Sequence, residues 1–212
     1  MKITKTEFIK IFNAWADIIN ENRDYLIKLD GIAGDGDLGL SMTDGFNAVR
    51  EVIQTGDEED IGILLYSAGK TMSAYAPSSL GTLIAFGFME AGKAFKGRTE
   101  ITGLEIAILL ETFQDGIIKR GKAKVGEKTF IDGFNPAVQI MKNNSSEEKV
   151  QNALREAVIA SENGATGTIG MLAKYGRIAV RGEDSRQILD PGAVVGSLLV
   201  KALSDTLNDD II

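Results

Sequence analysis

Apolar residues recur along this chain at intervals of three and four, the spacing of a helix with one buried face. Phe8, Phe12, Trp15 and Ile19 form one such stripe, and Met42, Phe46, Val49 and Ile53 repeat it. Ile61, Leu65, Ala68 and Met72 give a third, and Ile106, Leu110, Phe113 and Ile117 a fourth, with Gly121 as its expected C-terminal cap. Ser145 and Glu148 have capping-box spacing ahead of a helix through Val150, Leu154 and Ala157. Asp190 followed by Pro191 reads as an N-cap and a first-turn proline, opening a last helix through Val194, Leu198 and Ala202. Only Arg177 to Arg181 has the look of a strand. The pattern therefore predicts an all-α fold of about eight amphipathic helices, in a single domain over residues 1–212.

Composition narrows the chemistry. A net charge of −7 with scattered cations, apart from Lys119, Arg120, Lys122 and Lys124, argues against a nucleic-acid partner. The longest apolar run, Leu83 to Met89, is too short for a bilayer, and the N-terminus lacks a signal-peptide core, so a cytoplasmic protein with no membrane partner is expected. The chain has no cysteine and no histidine. Thiolate and imidazole ligands, phosphohistidine and Ser-His-Asp catalysis are excluded, and any metal site must use oxygen, which suits magnesium or calcium. The 24 glycines cluster at 31–39, 81–97, 121–133 and 164–182. Turns account for part of this excess, and close approach of backbone to a ligand at helix ends accounts for the rest.

The strongest chemical signal is Leu29-Asp30-Gly31-Ile32-Ala33-Gly34-Asp35-Gly36-Asp37-Leu38-Gly39. Glycine lets the chain turn sharply enough for three carboxylates to converge, and converging carboxylates repel unless a cation sits among them. The plain alternative is a solvated turn in which Asp37 caps the next helix. An EF-hand does not fit, because Gly39, Leu40 and Phe46 occupy positions that need ligands or the turn glycine. Gly34, Gly36 and Gly39 match a dinucleotide fingerprint, but aspartates fill its gaps and a helix precedes it. Two P-loop-like stretches, at Gly69-Lys70-Thr71 and Gly92-Lys93, lack either the upstream glycine or the metal-holding hydroxyl. Magnesium takes few carboxylates and completes its octahedron with phosphate oxygens. Three aspartates beside a helix start thus point to a di- or triphosphate held through metal, with the helix-end amides assisting. Pro77-Ser78-Ser79-Leu80-Gly81-Thr82 is a second helix start, either closing the site from the other side or serving as an ordinary N-cap.

These segments, with Gly121-Lys122-Ala123-Lys124-Val125-Gly126-Glu127-Lys128-Thr129, Gly176-Arg177 and Asp190-Pro191-Gly192-Ala193, occur in the order seen in the DhaL family, which the chain resembles from first helix to last. That family comprises the nucleotide-binding subunits of dihydroxyacetone kinases. The resemblance implies an up-and-down barrel of eight antiparallel helices with ADP or ATP at one end. It implies that Asp30, Asp35 and Asp37 bind two Mg2+ ions bridging the phosphates. Leu38, Gly39, Leu40, Ser41, Ser79 and Leu80 would contact the nucleotide there, with Gly121, Phe130, Arg177, Asp190, Pro191 and Gly192 at the adenine and ribose end. The implied partners are a ketose-binding subunit (DhaK-like), which uses a histidine, and a phosphohistidine phosphotransferase subunit (DhaM-like) that rephosphorylates a resident ADP.

Three positions depart from the family pattern: Leu38 stands where D-G-D-H-G has histidine, Leu80 where a serine is usual, and Ile188 where a histidine precedes D-P-G. Two alternatives share the same nucleotide site. One is a subunit with exchanging ATP; the other is a non-catalytic nucleotide sensor that docks on a transcriptional regulator.

Overall fold

The structure is a computed structural model and describes residues 1–209. Helices dominate: α1 (Lys5–Glu21), α2 (Arg23–Ala33), α3 (Leu38–Thr55), α4 (Ile61–Tyr75), α5 (Ser79–Ala94), α6 (Ile106–Gly121), α7 (Phe130–Asn143), α8 (Val150–Thr166) and α9 (Pro191–Asp209). Two short strands, β1 (Lys2–Thr4) and β2 (Glu100–Thr102), pair antiparallel, with Ile3 opposite Ile101. The all-helical, single-domain expectation holds. Every stripe residue named above is buried except Leu198, which packs partly buried against the same core.

Helix follows helix around that core. α1 packs on α3, α3 on α4, α4 on α5, α5 on α6 and α6 on α7, while α7 and α8 both reach α9 and α9 returns to α1. Aromatic rings run through the middle from Phe12 and Trp15 through Phe88 to Phe113, which meets Phe130 and Phe134. The Trp15 indole, although buried, donates to the Leu199 carbonyl at 2.9 Å, so its polar edge is satisfied. Close helix contact needs glycine at the crossing of α7 and α9. A β-carbon on Gly133 would lie 2.1 Å from the Ala193 carbonyl oxygen, inside any permissible contact.

Several local expectations change. Residues Arg177–Gln187 form successive 3-10 turns kinked at Gly182 (φ 55°), not a strand. A strand there would put Ile178 and Val180 on one face, yet Ile178 is buried and Val180 is 89% exposed, and among the described residues no strand pairs with this segment. The Ser145–Glu148 capping box does not form: α8 begins at Val150 behind a 3-10 turn, Glu147–Lys149, that opens at Ser146. The Glu147 carboxylate instead takes the Leu104 amide and the N-terminal ammonium, tying this connection to the strand pair. Gly121 is the last residue of α6, and Lys122 takes the left-handed cap conformation (φ 63°). What Gly121 supplies is room, because a β-carbon there would meet Leu83 at 2.9 Å. Asp190 caps α9 as expected, accepting the Ala193 amide at 2.8 Å.

Candidate functional site

The acidic turn is built by α2, α3 and the four residues between them. Asp30 lies near the end of α2, and its carboxylate accepts the Leu38 amide at 3.3 Å. Gly34 leaves room for that carboxylate, since a β-carbon would sit 2.8 Å from Asp30 Oδ1. Gly36 takes φ 73°, which turns the chain so that Asp35 and Asp37 face Asp30. Each aspartate places one oxygen within 4.8 Å of the others. Oxygens around one octahedral magnesium, about 2.1 Å from the ion, lie within about 4.2 Å of each other. The triad therefore suits a hard cation after a small contraction, or carboxylates shared between ions. Asp37 makes no side-chain capping bond to α3, so helix capping does not account for it.

Electrostatics agree with a site short of positive charge. Burial, followed by the charges of Asp35 and Asp30, raises the Asp37 carboxyl above the ordinary aspartate range, against the opposing pull of Arg177. Arg177 was expected at the adenine end, but its guanidinium reaches across to Asp35 at 2.6 Å. Arg181 donates to the Ile32 carbonyl at 3.0 Å, so two arginines strap the 3-10 segment onto the end of α2. Beneath them Ala33, Ala173 and Ile178 form a small apolar cluster, with Ile188 packed against it.

The triad forms part of the lining of a cavity of about 550 Å3. Leu38, Ser79, Leu80, Gly121, Phe130, Arg177, Asp190, Pro191 and Gly192 all line it, as the resemblance implied. Gly39, Leu40 and Ser41 do not reach its wall. Gly39 presses α3 onto α2, where a β-carbon would be 2.3 Å from the Arg23 carbonyl oxygen. Leu40 is exposed, and Ser41 is buried with its amide donating to the Asp37 carbonyl. The second helix start does both things asked of it, since Ser78 caps α5 by accepting the Gly81 amide and also lines the cavity. All three departures are apolar residues turned into packing: Leu38 joins the main core, Leu80 lies partly buried against it, and Ile188 packs on the small Ala33, Ala173 and Ile178 cluster.

The cavity lining includes a residue that the sequence motifs did not single out. Lys128 is completely buried, in a left-handed conformation (φ 61°), and its ammonium donates to the Thr168 and Ile188 carbonyls. Burial lowers its pKa, opposed by the charges of Asp190 and Asp132. Burial also pushes the Asp190 carboxyl up to about 7, although the Ala193 amide and Lys128 favour its charged form. The G-K-A-K-V-G-E-K-T order was the available signal for Lys128, but nothing local marks a buried lysine.

The DAK2 domain family profile matches residues 32–205. This chain belongs to that family. Over 205 residues it is 32% identical to the PEP-dependent dihydroxyacetone kinase ADP-binding subunit DhaL of Escherichia coli (strain K12), covering 96% of this chain and 98% of that one. Its fold is also that of part of the dihydroxyacetone kinase of C. freundii, with a TM-score of 0.71 at 22% identity for the native form. The match covers 93% of this chain and 34% of the kinase, so this DAK2 chain spans about a third of that larger protein. The same kinase in complex with AMP-PNP and Mg2+ superimposes with a TM-score of 0.65 at 18% identity.

Proposed function

We propose that this DAK2 chain is the nucleotide-binding subunit of a dihydroxyacetone-type kinase, acting in the cytoplasm. The observation that carries the reading is the convergence of Asp30, Asp35 and Asp37 in the wall of a cavity of about 550 Å3. The names of its relatives support it, as does the AMP-PNP and Mg2+ complex of a kinase with the same fold. In this reading the nucleotide phosphates lie toward the three aspartates, and the base and ribose lie toward Phe130 and Asp190–Gly192. Two Mg2+ ions held by the aspartates would neutralise charge on the phosphates. Ser79 and Arg177 orient the phosphates, and the cavity wall excludes water from the transferred group. The neighbour relations that close from α9 back to α1 support the barrel arrangement.

The ketose is held on a partner subunit through a histidine, a residue this chain lacks. The phosphoryl group reaches a resident ADP from a phosphohistidine subunit of a phosphotransferase system, consistent with the PEP-dependent relative. Acid denaturation of freshly purified protein, with chromatography of the released nucleotide, tests this directly. Stoichiometric ADP supports the resident-cofactor form. Protein that emerges empty and binds ATP weakly on titration supports exchange with free ATP instead.

A further inference from the structure

We infer that Lys128 is the positioning residue for the base end of the pocket, holding the Phe130 and Asp190–Gly192 walls at a fixed separation. The inference rests on the nucleotide reading above and deepens it. Three chain segments meet at this ammonium: the loop leading into α7, the chain just past α8 at Thr168, and the approach to α9 at Ile188. Thr168 extends the link, because its hydroxyl accepts the Asp190 amide at 3.0 Å and donates to the Ala165 carbonyl at 2.7 Å. The starts of α7 and α9 abut, and a β-carbon on Gly192 would lie 3.3 Å from the Phe130 nitrogen. Their relative position is therefore set where Lys128 sits.

Space filling does not explain a lysine here. Burying an ammonium is costly, and an apolar side chain of similar length would fill the volume without that penalty. The left-handed backbone conformation of Lys128 adds a further cost. Two carbonyls and two buried carboxylates, Asp132 and Asp190, surround the site and call for a cation. Asp132 is itself committed, with one oxygen accepting the Gly126 amide and the other the Thr129 amide at 2.7 Å, so it anchors the loop from the α7 side. Lys128 thus joins two helix starts that both border the cavity.

The test compares Mg–ADP with Mg–pyrophosphate, which offers phosphates without a base or ribose. Calorimetric titration of Lys128→Met is expected to show ADP affinity reduced at least tenfold and pyrophosphate affinity within twofold of the parent. Hydrogen exchange on the nucleotide-free variant is expected to accelerate at residues 129–132 and 188–193, with the Asp30–Leu38 turn unchanged. Parent-like ADP affinity, or an equal loss for both ligands, overturns the inference. If the parent itself binds neither ligand, the nucleotide reading fails, and the exchange pattern then shows separately whether Lys128 holds the two helix starts. Lys128→Gln, neutral and shorter, enters the same two assays should the methionine variant not fold, with the same outcomes expected and the same outcomes decisive against the inference.

Discussion

Asp190 makes stability depend on pH in an unusual direction. Its buried carboxyl titrates at about 7 in the folded protein, whereas an aspartate in an unfolded chain titrates near about 3.9. Between those values the folded state holds a proton that the unfolded state has released. Raising the pH therefore favours unfolding, by up to about tenfold in the equilibrium constant per pH unit. Over the roughly three-unit window the loss approaches about 4 kcal/mol, and it is complete above the folded pKa. Asp37, also raised, acts in the same sense. Glu7, Glu105, Glu127 and Glu147 are lowered and act oppositely, but they do so below the ordinary glutamate range. The window from about pH 5 to 7 thus belongs to Asp190. Urea unfolding of nucleotide-free protein in chelator, followed by far-ultraviolet circular dichroism, should show stability falling across it. Asp190→Asn keeps an oxygen for the Ala193 amide but has no proton to lose, and should flatten most of the slope. Stability that holds level or rises between pH 5 and 7 would refute the reasoning.

Asp35→Ala and Asp37→Ala are expected to fold normally, because each relieves repulsion in the metal-free turn, and to lose Mg2+-dependent ADP binding by about a hundredfold or more on calorimetry. Arg177→Ala should leave the unfolding midpoint nearly unchanged, since its bond to Asp35 joins exposed groups and contributes under about 1 kcal/mol. It should also tighten the binding of Mg2+ alone by removing a competing cation from Asp35; weaker Mg2+ binding would contradict the placement of that guanidinium. Gly133→Ala forces a β-carbon against the Ala193 carbonyl, and denaturant melts should show a loss of about 1–3 kcal/mol; a neutral result would mean that α7 and α9 are not so closely packed.

What could be read in advance divides by the range of the interaction. Stripes such as Ile61, Leu65, Ala68 and Met72 announce a buried helix face because helical period and burial are both local properties. The acidic turn is equally local, with its three carboxylates within eight residues and its bends supplied by intervening glycines. The strand pairing of Ile3 with Ile101 was out of reach, since neither segment shows alternation long enough to register. Lys128 finds its acceptors 40 and 60 residues further along, so its burial depends wholly on tertiary structure. The ion pair of Arg177 with Asp35 was out of reach for the same reason: its partner lies far back in the chain, and only the 3-10 fold of Arg177–Gln187 brings the two together. Gly121 shows a subtler failure, in which a residue suited to a cap is spent on packing against Leu83 while Lys122 adopts the cap conformation.

The central claim is that three aspartates hold a nucleotide through metal, and isothermal titration of nucleotide-stripped protein with ADP, in magnesium and then in chelator, tests it most directly. The account predicts one ADP bound per chain in magnesium and no detectable binding once the metal is removed. Equal binding in both conditions, or none in either, would contradict it.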